Sequence, residues 1–290
     1  MERETAPVDR ISTPGIDVGM TLGPLAMLAG DPTTRLGRGV FERGTTTPEG
    51  PAAVRITWAT GQGSVTVEVF GEGGTWLRER IPALVGMADD PSGFQPEHPA
   101  IHRLWRMFHG DRVGRTNTLW HDLAWTIVQQ RVRRSEAARQ WRALVEVYGE
   151  AAPGIDELRL PPDPGRLART SPLDLRSVGL DAQRARTLTN AAVVASRLQR
   201  FVDAPIAKAR PALSSIPGVG EWTISCLSAF TWGDPDTVIV GDSGIPSMIA
   251  SAVTGERRAD DARMLEILEP FRPHRYRVLR LAFAARTRRT

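Results

Sequence analysis

The stretch SSIPGVGEWTISCLSAFTWGDPDTVIVGDSGIP, residues 214–246, gathers most of the side chains in this chain that could do chemistry. Pro217 ends one helical stretch, Gly218 and Gly220 permit positive φ, and a new helix starts at Glu221. In such a turn the backbone amides around Gly218, Val219 and Gly220, at the start of a helix, can hold a phosphate oxygen without reading a base. Asp242 follows 22 residues after Gly220. Its carboxylate reads, on the residues alone, as the cap of a helix over residues 245–253. Asp234 and Asp236 flank Pro235 and read as turn residues. The helix after the turn carries Trp222 and the only cysteine, Cys226; the only lysine, Lys208, precedes it.

Charge narrows the partner. The 37 basic and 33 acidic residues leave only +4, yet the pI is about 10.1. Residues 271–290 hold seven arginines and no acid, and RVRRSEAARQWR, residues 131–142, holds five arginines against one glutamate. Either run alone reads as a solvated helix face; two of them around a phosphate-binding turn favour a polyanion. A single cysteine excludes internal disulfides and cysteine-held zinc or iron–sulfur centres. No stretch approaches the ~20 apolar residues of a membrane span, and the start lacks an apolar signal core, which points to the cytosol.

These residues need elements to position them. Residues 1–15 read as a loose tail, and residues 16–95 as an antiparallel sheet domain. In AVRITWATGQGSVTVEVFG, Val54, Ile56 and Trp58 alternate on one strand and Val65, Val67 and Val69 on the next. GMTLGPLAML and RLGRGVFERG are candidates for further strands. A polar, proline-containing connection near residues 90–99 marks a boundary. From residue 96 the period turns helical, with Leu119, Leu123 and Ile127 on one face; Ser135 reads as the cap of the next helix and Gly149 as its end. Asp181 reads as a further cap, and a helical hairpin spans residues 209–232. The expected class is α+β: an antiparallel sheet domain followed by an all-α region in two lobes containing a helix-hairpin-helix.

IPGVGEWT followed by VIVGDSGIP resembles the helix-hairpin-helix, Gly/Pro-rich loop and aspartate of the HhH-GPD superfamily of DNA glycosylases. The nearest branch is the 3-methyladenine DNA glycosylase II (AlkA-like) family. The resemblance extends over LAWTIVQQRVRRSEAARQWRALVEVYGE, RLARTSPLDLRSVGLDAQRARTL and FRPHRYRVLRLAFAART, so it covers roughly residues 95–290. It implies that Asp242 is the catalytic carboxylate. It also implies that Trp222, Phe283 and Cys226, with Trp125, wall the pocket for a base flipped out of the stack. Cys226 departs from the aromatic character of the family's pocket. Bifunctional relatives carry a lysine where this chain has Trp222, so water is the implied nucleophile and no lyase step follows.

The hairpin residues Pro217, Gly218, Val219 and Gly220, together with Gln130, Arg131, Arg133 and Arg275, are the implied DNA contacts. Arg131 stands where the family places an apolar wedge. The expected activity is excision of N-alkylated purines of the 3-methyladenine and 7-methylguanine type from damaged double-stranded DNA, by a monomer at the nucleoid. No cofactor is expected, and no side-chain metal site, although a monovalent ion on the hairpin carbonyls is implied. Two other readings stand beside it: excision of oxidised or deaminated bases, and damage binding through phosphates alone.

Overall fold

The computed structural model describes residues 8–287. Its first part is a five-stranded antiparallel sheet in the order β1-β5-β4-β3-β2. The strands are β1 (Val8–Ser12), β2 (Thr34–Gly37), β3 (Val40–Thr47), β4 (Gly50–Thr57) and β5 (Ser64–Phe70). The period-two pattern does what it predicts: Val65, Val67 and Val69 are buried between half-exposed neighbours, and Val67 pairs with Ile56, which pairs with Phe41. Each such side chain contributes about 1.5–3 kcal/mol by leaving water.

Two expectations fail here. Residues 8–12 are not tail but an edge strand, because Ile11 pairs with Val65 and extends the ladder of β5; residues 1–7 lie outside the described residues. GMTLGPLAML is not a strand but helix α1 (Val18–Leu22) running into a 3-10 turn over Gly23–Ala26. The reason is local: Asp17 accepts the Met20 N–H at 3.0 Å and caps the helix, and Pro24 suits the first turn of the next one.

Helix α2 (Gly74–Leu84) covers the apolar face of the sheet with Trp76, Leu77 and Ile81. The helical part comprises α3 (Pro99–Met107), α4 (Leu119–Gln129), α5 (Arg134–Tyr148), α6 (Pro164–Ala168) and α7 (Ala182–Gln199). It continues with α8 (Ile206–Ser214), α9 (Glu221–Phe230), α10 (Ile245–Val253), α11 (Asp261–Leu268) and α12 (Arg275–Thr287). Asp181 caps α7, accepting the Gln183 and Arg184 N–H groups at 2.9 Å. Ser135 caps nothing: α5 begins at Arg134, with no side-chain cap.

One hydrophobic core runs without a break from Phe41, Ile56 and Val67 of the sheet to Leu123, Trp141, Leu227 and Leu281 of the helices. Polar groups stitch the same contact. Asp31, buried before β2, accepts the indole N–H groups of Trp141 at 2.8 Å and Trp125 at 3.2 Å. Arg43 of β3 pairs with the equally buried Asp122 of α4 at 2.7 Å. Asp89, on the connection between α2 and α3, holds the fully buried Arg277 of α12 at 2.7 and 2.9 Å. A half-satisfied buried charge is expensive, so these pairs fix the angle between sheet and helices.

Candidate active site

Helices α8 and α9 form the predicted hairpin, joined by residues 215–220. Gly218 has φ +92°, and a Cβ there would land on the Thr187 hydroxyl, so both backbone and packing demand glycine. Gly220 corrects the sequence reading: its φ is −104°, inside ordinary extended space, and a Cβ would meet nothing within 4 Å. Nothing inside the protein requires a glycine there. Gly220 precedes α9 without any side-chain cap, and the Gly218 and Gly220 amides donate to no acceptor among the described residues. Pro217, Gly218 and Gly220 are exposed, whereas Val219 is buried and its N–H is used by the Ile216 carbonyl at 3.0 Å. Glu221 pairs with Arg210 at 2.7 Å at the rim.

The loop between α4 and α5 stands against this hairpin. Gln130 was expected to contact DNA, but it is only 9% exposed, and its amide N–H donates to the Gly218 carbonyl at 3.0 Å and the Thr223 hydroxyl at 2.8 Å. It locks one loop to the other. Arg131 is exposed at the crest of the loop with φ +59°, a conformation that costs a non-glycine residue about 1–2 kcal/mol. Arg133 is exposed beside it, and Val132, half-buried, turns inward. Beneath the loop the buried Arg184 donates to the Val128 carbonyl and to Gln140, both at 2.7 Å, tying the end of α4 and α5 to α7.

Asp242 reaches the site from the irregular segment before α10. The cap reading holds, and it engages only one of the two carboxylate oxygens. Its Oδ1 accepts the N–H groups of Gly244 at 2.8 Å and Ile245 at 3.0 Å, while Oδ2 faces the Trp222 indole N–H at 3.4 Å. Asp242 and Trp222 stand where two hollows meet. One is a cleft of about 500 Å³ lined by Gln129, Arg131, Gly218, Gly220 and Ser243; the other is a cavity of about 650 Å³.

The larger cavity brings together all four predicted pocket residues, Trp125, Trp222, Cys226 and Phe283. Cys226 is buried, and burial, with Asp242 nearby, pushes its thiol far above the usual range, so it is a neutral wall rather than a nucleophile. Trp125 is packed edge-on to Phe230 at 5.8 Å and also lines the cavity, so it is part of the core and of the cavity wall. Phe283 lies under the Arg134 guanidinium at 5.5 Å. The sequence did not foresee Met20, Pro24 and Met27, which come from the N-terminal part and close one end of the cavity.

Arg275 does not belong to the site. Its side chain is 12% exposed and is bound to Asp236 at 2.6 and 2.9 Å, a contact that pins the start of α12. Asp234 and Asp236 are turn residues as read; Asp234 accepts the Asp236 N–H at 2.9 Å. Most of the C-terminal arginine run is likewise committed: Arg272 bonds Glu269, Arg277 bonds Asp89 and Arg280 bonds Asp111. In the other run Arg131, Arg133, Arg134 and Arg139 are exposed and form no ion pair among the described residues. Among the described residues no cluster of His, Cys, Asp and Glu could hold a metal ion, and no helix is long and apolar enough to cross a membrane. The Ile216 and Gly218 carbonyls each already accept one protein donor and retain a lone pair.

The candidate site is thus a helical hairpin, a capped aspartate across from it and a cavity lined by helices and by the N-terminal part. No family model matches the chain. It is similar to DNA-3-methyladenine glycosylase 2 of Escherichia coli, 27% identical over 150 residues, 51% of this chain and 52% of that protein. The match thus spans about half the length of this curated relative. The fold is that of a 3-methyladenine DNA glycosylase from Archaeoglobus fulgidus, with TM-score 0.76 and 18% identity over 96% of this chain and 98% of that one. It is also that of a Clostridium acetobutylicum 8-oxoguanine glycosylase/lyase solved with double-stranded DNA, with TM-score 0.68 and 14% identity over 99% of this chain and 100% of that one. The chain is thus similar over half its length to a 3-methyladenine DNA glycosylase and shares its fold with DNA glycosylases.

Proposed function

We propose that this protein is a monofunctional DNA glycosylase that flips N-alkylated purines out of double-stranded DNA and hydrolyses their glycosidic bond, leaving an abasic site. The observation that carries this reading is the divided carboxylate of Asp242. Two backbone N–H groups hold Oδ1, and Oδ2 is left at the junction of cleft and cavity, beside Trp222.

A flipped base in the large cavity brings its sugar to that junction. As the bond between C1′ and the base nitrogen breaks, its electron pair leaves with the base and positive charge gathers on the sugar. A purine alkylated on a ring nitrogen is cationic and departs neutral, so the remaining demand is stabilisation of the sugar, which an ionised Asp242 supplies. Water then adds to C1′ and loses a proton, for which the same carboxylate is an acceptor. Trp125, Trp222 and Phe283 offer π faces to the cationic base.

No lysine stands at the junction to form a Schiff base: the side chain one residue into α9 is Trp222, and Lys208 is exposed on α8. DNA would be gripped by the amides at Gly218 and Gly220, whose glycine at 220 leaves open space where a phosphate can approach, and by Arg131 and Arg133. The test is incubation with alkylated duplex DNA, with the released bases identified by mass. Release of 3-methyladenine and 7-methylguanine without strand scission is expected. Capture of a covalent protein–DNA adduct by borohydride would sink the monofunctional assignment, and no base release at all would leave a DNA-binding protein.

A further inference from the structure

We infer that Tyr276 reads the flipped base: its hydroxyl is a fixed hydrogen-bond donor in the cavity wall for an acceptor on the base, either a carbonyl oxygen or an unsubstituted ring nitrogen. The inference rests on the base-excision reading and adds a residue that selects among lesions.

Tyr276 is the second residue of α12, and its backbone N–H is pinned by the Pro235 carbonyl at 2.9 Å. The residue is 2% exposed and lines the large cavity together with Cys226 and Arg280. The Arg280 guanidinium, in the same wall, is near enough to act on its phenol. That guanidinium cannot turn away: it donates to both oxygens of the buried Asp111, through Nε at 2.8 Å and through Nη2, and Nη2 also donates to the Met20 carbonyl at 3.0 Å. Arginine only donates, so the hydroxyl meets it with a lone pair and its own proton is left for another partner. Among the described residues the only side-chain group that engages this hydroxyl is Arg280, a donor.

The neighbouring walls offer its proton weak acceptors. The Cys226 thiol is kept neutral by burial and is a weak acceptor, and Met20, Met27 and Met248 present thioethers. Burial also pushes the Tyr276 phenol up to about 12, so it stays a donor throughout the range in which the protein works. A base that offers an acceptor here satisfies the donor, and a base that does not leaves it buried and unpaired. Selection of this kind acts on the base alone, not on the DNA backbone.

The test is single-turnover release of 3-methyladenine, 7-methylguanine and hypoxanthine from otherwise identical duplexes, by the parent protein and by Tyr276→Phe. Affinity for a duplex carrying a tetrahydrofuran abasic analogue is measured in parallel. The substitution keeps the ring and deletes only the hydroxyl. The expected result is a change of about tenfold in the ratio between the fastest and slowest of the three bases, with abasic affinity unchanged. Equal changes for all three bases, no change for any, or a loss of abasic affinity equal to the loss of release would each overturn the inference. A parent that releases none of the three would overturn the excision reading as well, and so is distinguishable from failure of the Tyr276 role alone.

Discussion

Asp242 and Trp222 face one another across the mouth of the cavity, carboxylate Oδ2 to indole Nε1 at 3.4 Å, while the other oxygen of Asp242 is engaged by the backbone at the start of α10. The division gives one oxygen of the side chain a structural duty and leaves the other facing the cavity mouth. Asp242→Asn keeps an oxygen for the two backbone amides but replaces the charged oxygen by a donor. Base release should fall about 10²–10³-fold, while affinity for a duplex with an abasic analogue and the urea midpoint stay close to the parent's. Undiminished release would remove Asp242 from the chemistry.

The two glycines of the hairpin should behave differently when changed to alanine. Gly218→Ala forces a side chain onto Thr187 at φ +92°, so it should destabilise the fold by about 1–3 kcal/mol, read as a lower urea midpoint. Gly220→Ala has free space and an ordinary φ, so stability should be unchanged. Its methyl group would stand where a phosphate approaches, and DNA affinity should drop severalfold, with a shallower dependence on salt. If Gly220→Ala binds DNA like the parent, this turn does not hold a phosphate.

What could be read from the sequence was local. The hairpin, the Asp242 loop and the Val65–Val69 alternation each occupy one short window, where spacing and turn chemistry decide conformation. The clamps that orient the site are not local. Asp31 meets Trp125 across 94 residues, Arg184 meets Val128 across 56, and Arg280 meets Asp111 across 169. Charge counting misled for the same reason: the arginines of α12 and those of the loop before α5 look alike in sequence, yet Arg275, Arg277 and Arg280 are paired with carboxylates, whereas Arg131 and Arg133 are exposed and in no ion pair among the described residues. Gln130 and Arg275 carry the right chemistry for DNA but spend it on Gly218 and Asp236.

His121 gives the fold an acid limit. It is fully buried between the Thr33 and Thr45 hydroxyls, and burial, with Arg43 nearby, holds its pKa well below the usual 6.5. The folded protein therefore keeps it neutral where the unfolded chain takes up a proton, so stability falls as pH falls below about 6.5. The loss approaches about 1.4 kcal/mol per pH unit. Asp31 and Asp122, both raised by burial, act in the opposite sense. The His121 share is the difference between parent and His121→Gln in urea unfolding at pH 7.5 and 5.5: the variant should be less stable at the higher pH but lose less on acidification. Equal pH slopes for the two proteins would refute it.

Arg131 sits at a position that its backbone resists. At φ +59° a glycine would be more comfortable by about 1 kcal/mol, yet the chain places its longest cation there, exposed at the crest beside the cleft. Arg131→Gly therefore separates strain from function. If the guanidinium enters the stack to fill the gap left by the flipped base, the variant should hold or raise the melting temperature. It should also lose about tenfold in affinity for a duplex with an abasic analogue and bend it less, with a smaller loss on undamaged duplex. Equal losses on both duplexes would reduce Arg131 to a phosphate contact, and no loss on either would leave its conformation without a purpose in DNA binding.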